Sequence, residues 1–198
     1  MNLRPKIGIL LVTSGWFRDV GLQESSSPLT EEVDVIAKEI VNKLSGFLEP
    51  VYNGVIYSEN EARAAAEDIS AARVDGIIIS TLMWCEDQIL KAALKVLPEL
   101  PCVICTFFPN ETLPEFVGFN EMLKGSGSVG SLQISGFLNR EGFVYQSVSG
   151  YFRDESIYDE LREHCLAFSI AQRLKNTRCG VLPFRCDQMS TTFVDEFA

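Results

Sequence analysis

Two tryptophans occupy the same kind of place in this sequence. Trp16 lies in LLVTSGWFRDVG and Trp84 in ISTLMWCEDQ, each just after an apolar run has ended. Ser14, Arg18, Thr81, Glu86, Asp87 and Gln88 lie beside them. An aromatic face next to a guanidinium, carboxylates and amides suits a sugar: the C–H face of the sugar stacks on the ring while its hydroxyls take hydrogen bonds. The competing reading is that a tryptophan at a strand end packs beneath a loop. The elements that carry the two rings decide whether they can share one ligand.

Those elements alternate along the chain. KIGILLVTS (6–14) is a continuous apolar, β-branched run of the kind a fully buried parallel strand shows. TEEVDVIAKEIVNKLSGF then opens with Thr30 as the expected N-cap and acids in the first turn, and places Val33, Ile36, Ala37, Ile40, Val41 and Leu44 at helical spacing. PVYNGVIYS (50–58) reads as a second strand, ENEARAAAEDISAARV as an Ala-rich helix and DGIIISTLMW (75–84) as a third strand. CEDQILKAALKVLPEL follows as a helix ended by Pro98. PCVICTFF (101–108) is a fourth strand, followed by a long irregular stretch and a helix over GSVGSLQISGFLNREG. FVYQSVSGYF (143–152) is the fifth strand, and residues 154–176 form a long helix with Ile157, Leu161, Cys165, Phe168 and Leu174 near one stripe. RCGVLPF then restarts the pattern.

Strands alternating with helices imply a parallel sheet covered on both faces by right-handed crossovers. The expectation is a flavodoxin-like, doubly wound α/β domain of about five strands over residues 1–176, with the first strand and turn of a second α/β domain over 177–198. In such a sheet ligands sit outside the carboxyl ends of the strands, at the switch point between strand 1 and strand 3. Trp16 follows strand 1 and Trp84 ends strand 3, so both are expected at one crevice.

Composition excludes several partners. The chain has 198 residues, 46% of them hydrophobic, and a formal net charge of -10. That charge argues against a nucleic-acid partner, which needs clustered Lys and Arg. The first strand's loop lacks both G-x-G-x-x-G and G-x-x-x-x-G-K-[ST], which disfavours a nucleotide or flavin. GSGSVGS at 125–131 has a phosphate-binding composition but follows an irregular loop, not a strand. The six cysteines, at 85, 102, 105, 165, 179 and 186, are expected as free thiols, and the single histidine, His164, leaves little to complete a zinc site. Cys102 and Cys105 lie three apart in a strand and so point to opposite faces. The N-terminal apolar run is too short for a signal segment or a membrane span, so a cytoplasmic location is expected, with no membrane partner.

KIGILLVTSGWFRDVGLQES resembles the opening of the L-fucose isomerase and L-arabinose isomerase superfamily, and the resemblance runs along the whole chain. Trp84 and Cys85 are similar to the fucose isomerase pattern, and GVLPFRCDQMSTTFVDEF resembles the start of that family's second domain. The resemblance implies interconversion of aldoses and ketoses with a divalent cation, usually manganese, bound by residues of later domains. It also implies a homo-oligomeric full-length enzyme, of which this chain is the N-terminal part and inactive alone. By the same resemblance Arg18 reaches substrate hydroxyls and Trp84 stacks on sugar bound in a neighbouring subunit. Met189, with Arg185 beside it, falls near an apolar wall of the second-domain turn. Trp16 has no family counterpart, and its substrate role rests on position. The alternative is a stand-alone sugar-binding or regulatory module without chemistry.

Overall fold

The computed structural model describes residues 4–18, 29–97 and 99–178. The expected second-domain segment, with Met189, Arg185, Cys179 and Cys186, lies outside the described residues, as does Pro98. Five parallel strands form one sheet in the order β2-β1-β3-β4-β5, the doubly wound flavodoxin-like order. They are β1 (Lys6–Val12), β2 (Glu49–Val51), β3 (Gly76–Thr81), β4 (Cys102–Phe108) and β5 (Tyr145–Tyr151). The helices are α1 (Leu29–Leu44), α2 (Glu59–Ala72), α3 (Asp87–Leu94), α4 (Phe119–Gly125), α5 (Gly127–Arg140) and α6 (Glu155–Lys175). A 3-10 turn, Gly15–Arg18, follows β1.

The pleat divides the core in two. Ile7, Ile9, Leu11, Ile78, Val103 and Cys105 face the side covered by α1 and α6, while Leu10, Val12, Ile77, Ile79, Cys102 and Ile104 face α2, α3 and α5. Both faces are apolar, so β1 and β3 are buried along nearly their whole length. Each fully buried Leu or Ile side chain contributes about 1.5–3 kcal/mol, which is why these runs must be central. Cys102 and Cys105 do point to opposite faces. Two glycines let helices sit close to the sheet. A Cβ on Gly8 would lie 2.7 Å from Ile69 of α2, and one on Gly76 would lie 2.5 Å from Phe168 of α6.

Several boundaries differ from the sequence expectation. β2 stops at Val51, and the chain regains the sheet only at an isolated bridge between Ile56 and Val12, because Gly54 (φ 115°) turns it away between them. β3 ends at Thr81 and α3 begins at Asp87, so Leu82–Glu86 form the loop that carries Trp84. Thr30 lies inside the first turn of α1 and does not cap it. Leu174 is exposed, so the buried stripe of α6 ends at Phe168 and Ser169. The irregular stretch after β4 contains a short helix, α4, that its glycines and charges hid. No described helix is long and apolar enough to cross a membrane.

Candidate functional site

The carboxyl ends of β1 and β3 are stitched together by backbone bonds: the Leu82 amide donates to Val12 O at 3.0 Å and the Ser14 amide to Trp84 O at 3.1 Å. The two tryptophan-bearing loops are therefore neighbours at the switch point, as the strand order requires. Gly15 opens the 3-10 turn where a Cβ would stand 2.9 Å from Tyr57 O, a gap no other residue fits without movement. Phe17 is buried beneath the turn, and Trp16 sits edge-on to it with 56% of its surface exposed. The anchor is thus Phe17, and the ring left free is Trp16.

Ser14 and Glu86 couple the loops through side chains. The Ser14 hydroxyl donates to Glu86 Oε1 at 2.9 Å and accepts from the Trp16 amide at 3.1 Å. Glu86 Oε2 is buried and has no hydrogen-bond partner. A buried carboxylate oxygen without a donor is costly, so this atom has capacity for an incoming hydroxyl or water. Glu86 also stands at the start of α3, where the positive end of the helix dipole favours an anion.

Trp84 is half-buried, packed against the core on the α1 side. Its indole Nε1 donates to Gln133 Oε1 at 2.8 Å, and Gln133 Nε2 donates in turn to Asp87 Oδ1 at 2.8 Å. Its amide donates to Ser126 Oγ at 2.9 Å. Thr81 is a structural hook, its hydroxyl donating to Gly127 O at 2.8 Å and lying 3.0 Å from Ser131 Oγ. A Cβ on Gly127 would stand 2.7 Å from Thr81 O, and one on Gly130 2.9 Å from Thr81 Oγ1. The Gly/Ser run therefore seats α5 against the end of β3.

Arg18 Nη2 pairs with Glu61 Oε1 at 2.7 Å, and its guanidinium lies 4.4 Å from the centroid of the Tyr57 ring. Burial opposes ionisation of Glu61, but the Arg18 bond and the Tyr57 amide together hold its carboxyl below the usual range. The Tyr57 phenol, which donates to Asp34 Oδ1 at 3.4 Å, is pushed up by burial and by the Asp34 charge. Arg18 remains half-exposed with donors to spare beyond the one spent on Glu61.

Of the sequence-chosen residues, Ser14, Trp16, Trp84, Glu86 and Asp87 meet in this network, Arg18 stands beside it on Tyr57 and Glu61, and Gln88 is exposed. Met189 lies outside the described residues. Sequence reasoning missed Tyr57, Glu61, Ser126 and Gln133, because each is brought in from another element and none has a local signature. Among the described residues, no group of three or more His, Cys, Asp or Glu side chains could hold a metal ion, so they do not fit a manganese centre. His164 instead stacks on Phe168, 6.5 Å between ring centroids. No known family model matches this chain, and no curated protein matches it.

Proposed function

We propose that this chain is the N-terminal, substrate-rim domain of a metal-dependent aldose–ketose isomerase resembling L-fucose and L-arabinose isomerases, and that the β1/β3 crevice contacts the sugar. The observation that carries the reading is the buried, donor-less Glu86 Oε2, on a carboxylate held by Ser14, whose hydroxyl also accepts from the amide of the exposed Trp16. Trp16 and the free part of Trp84 offer apolar faces to the C–H side of a pyranose or open-chain sugar. Arg18 donates to hydroxyls, and Glu86 Oε2 accepts from one while Ser14 fixes the carboxylate's orientation.

By the resemblance, a metal that would polarise the carbonyl and the groups that would transfer the proton come from later domains, in keeping with the lack of a three-ligand His, Cys, Asp or Glu group among the described residues. This chain's residues bind and orient. Calorimetric titration of the 198-residue chain with a panel of aldopentoses and aldohexoses is expected to show weak binding that Trp16→Ala and Arg18→Ala each reduce. With manganese added, the chain is expected to interconvert none of them. Absence of binding to every sugar in the panel sinks the sugar reading. Turnover by the chain alone sinks the assignment of catalysis to other parts of the enzyme.

A further inference from the structure

The amino edge of the sheet, opposite the β1/β3 crevice, is hollow. A cavity of about 580 Å³ opens between the end of α3, the start of β5 and α6, within the roughly 300–1,000 Å³ range of small-molecule sites. Leu94, Leu97, Leu100, Phe143 and Phe168 form its apolar wall. A second hollow of about 390 Å³ adjoins it, and Glu99, Leu100 and Lys175 line both. Arg73, Asp75 and Gln172 line the second hollow, so one groove runs from an apolar end to a charged end. The charged end carries two groups of each sign, Arg73 and Lys175 against Asp75 and Glu99.

A second observation is independent of the cavity. Arg73 is the only non-glycine residue with a positive φ among the described residues, at φ 54° and ψ 59° in the left-handed region at the C-cap of α2. Glycine fills such a cap without strain, so arginine holds a strained backbone there for the sake of its side chain. Yet the fold makes no use of that side chain: Asp75 accepts from the Lys6 amide at 3.0 Å and Glu141 pairs with Lys91 at 3.7 Å, whereas Arg73, Glu99 and Lys175 have no side-chain hydrogen bond or ion pair among the described residues. Backbone strain kept for an unpaired side chain at a groove points to a ligand.

We infer that this groove binds a free α-amino acid with an apolar side chain. The side chain enters the apolar end beside Phe143 and Phe168, the carboxylate meets Lys175 and Arg73, and the ammonium faces Glu99 and Asp75. Two charges of each sign suit a zwitterion better than a simple anion or cation, since either of those sets its head against two like charges. The net charge of -10 works the same way, repelling an anion at long range but not a neutral zwitterion. A sugar leaves the apolar wall unmatched, so this groove is distinct in chemistry from the crevice at the other edge.

Calorimetric titration of the 198-residue chain with L-phenylalanine, L-leucine, glycine, 3-phenylpropionate and phenethylamine tests this; the last two each lack one charge of phenylalanine. Phenylalanine and leucine are expected to bind and glycine not to. Each singly charged analogue is expected to bind about tenfold or more weakly than phenylalanine, the effect of losing a charged hydrogen bond. Glycine adopts the left-handed cap without strain, so Arg73→Gly is expected to stay folded by circular dichroism and to weaken phenylalanine binding about tenfold or more. Glu99→Gln, at an exposed position, is expected to weaken phenylalanine but not 3-phenylpropionate, which has no ammonium. No saturable binding of phenylalanine or leucine, an analogue that binds as tightly as phenylalanine, or unchanged phenylalanine affinity in either variant overturns the assignment. Both variants leave the β1/β3 crevice intact, so sugar binding is read separately.

Discussion

The two ends of the sheet are built differently. At the amino ends of β4 and β5 lies a cavity of about 580 Å³, lined by Leu94, Leu97, Leu100, Phe143 and Phe168 with Glu99, Glu141 and Lys175 around it. At the carboxyl ends of β1 and β3, polar side chains converge in two neighbouring hydrogen-bonded groups, Ser14 with Glu86 and Trp84 with Ser126, Gln133 and Asp87, and one Glu86 carboxylate oxygen has no partner. The cavity and the converging polar groups therefore lie at opposite edges of the sheet, and recognition of a polar ligand needs polar groups that converge on one point. Strand direction is the cause. In a parallel sheet every strand delivers its following loop, and the positive N-terminus of its following helix, to the carboxyl edge. The helix ends and turns that close the amino edge bring apolar side chains to fill space.

The most severe break of that contrast is at Gly127. Valine there would place a Cβ 2.7 Å from Thr81 O and 2.9 Å from Leu82 O, both backbone atoms that cannot swing aside. Gly127→Val is expected to cost about 3 kcal/mol, the upper end of overpacking, and to detach Gln133 from Trp84. An amino-edge change of comparable size, Val144→Phe, is expected to stay within about 0.5 kcal/mol, since Val144 is exposed. Urea unfolding of both variants is the check, and equal losses would remove the distinction between the edges.

Thiol chemistry gives a smaller, sharper comparison. The described cysteines are free and buried, as the sequence implied. Burial, then the Glu86 and Asp87 charges, push the Cys85 thiol up to about 12, whereas burial alone pushes Cys102 up to about 11. Cys102 also lines the amino-edge cavity. Native-state alkylation near pH 9 should therefore modify Cys102 faster than Cys85, whose thiol burial and the Glu86 and Asp87 charges hold up further. Mass spectrometry of timed samples reads the two rates, and a Cys85 rate equal to that of Cys102 would contradict the closed carboxyl edge. Both thiols have folded values above the unfolded one of about 8.5, so their contribution to stability is complete below that pH and is lost as pH rises through 11 to 12.

The sheet was legible because its signal is local. KIGILLV and GIIIST are unbroken apolar runs, and only a strand buried on both faces tolerates that composition. Strand order followed from alternation and handedness, and with it the meeting of the Trp16 and Trp84 loops. What stayed hidden depends on long-range pairing. Gln133 is one polar residue in a helix until the indole N–H of Trp84, 49 positions earlier, is found against it. Glu61 reads as an ordinary first-turn acid of α2 until Arg18 reaches it. The glycines of GSGSVGS look alike in sequence, yet two are pressed on β3 and Gly125 faces open space. A phosphate-binding composition and a close-packing one cannot be separated without knowing what the backbone approaches.

The smallest expected effect concerns Arg18. Its pair with Glu61 joins side chains that are 50% and 40% exposed, and such pairs contribute about 0–1 kcal/mol because water screens them and ordering them costs entropy. Stacking on Tyr57 at a half-exposed site is worth a further 0.5–1 kcal/mol or so. Arg18→Ala should therefore lower unfolding free energy by about 0.5–2 kcal/mol. The Glu61 carboxyl, held below its usual range in the native chain, should titrate at higher pH in the variant once that donor is gone. The sign follows: a lowered carboxylate stabilises the fold above its unfolded pKa and loses that contribution as pH falls, so the Arg18→Ala deficit should shrink on acidification. Carbon-13 NMR of the glutamate carboxyls gives the titration, and urea unfolding at neutral and acid pH gives the deficit. A loss of several kcal/mol would make Arg18 a structural clamp of the carboxyl edge. A small loss leaves its guanidinium free to exchange Glu61 for a ligand at little cost to the fold, as a residue at a binding rim must.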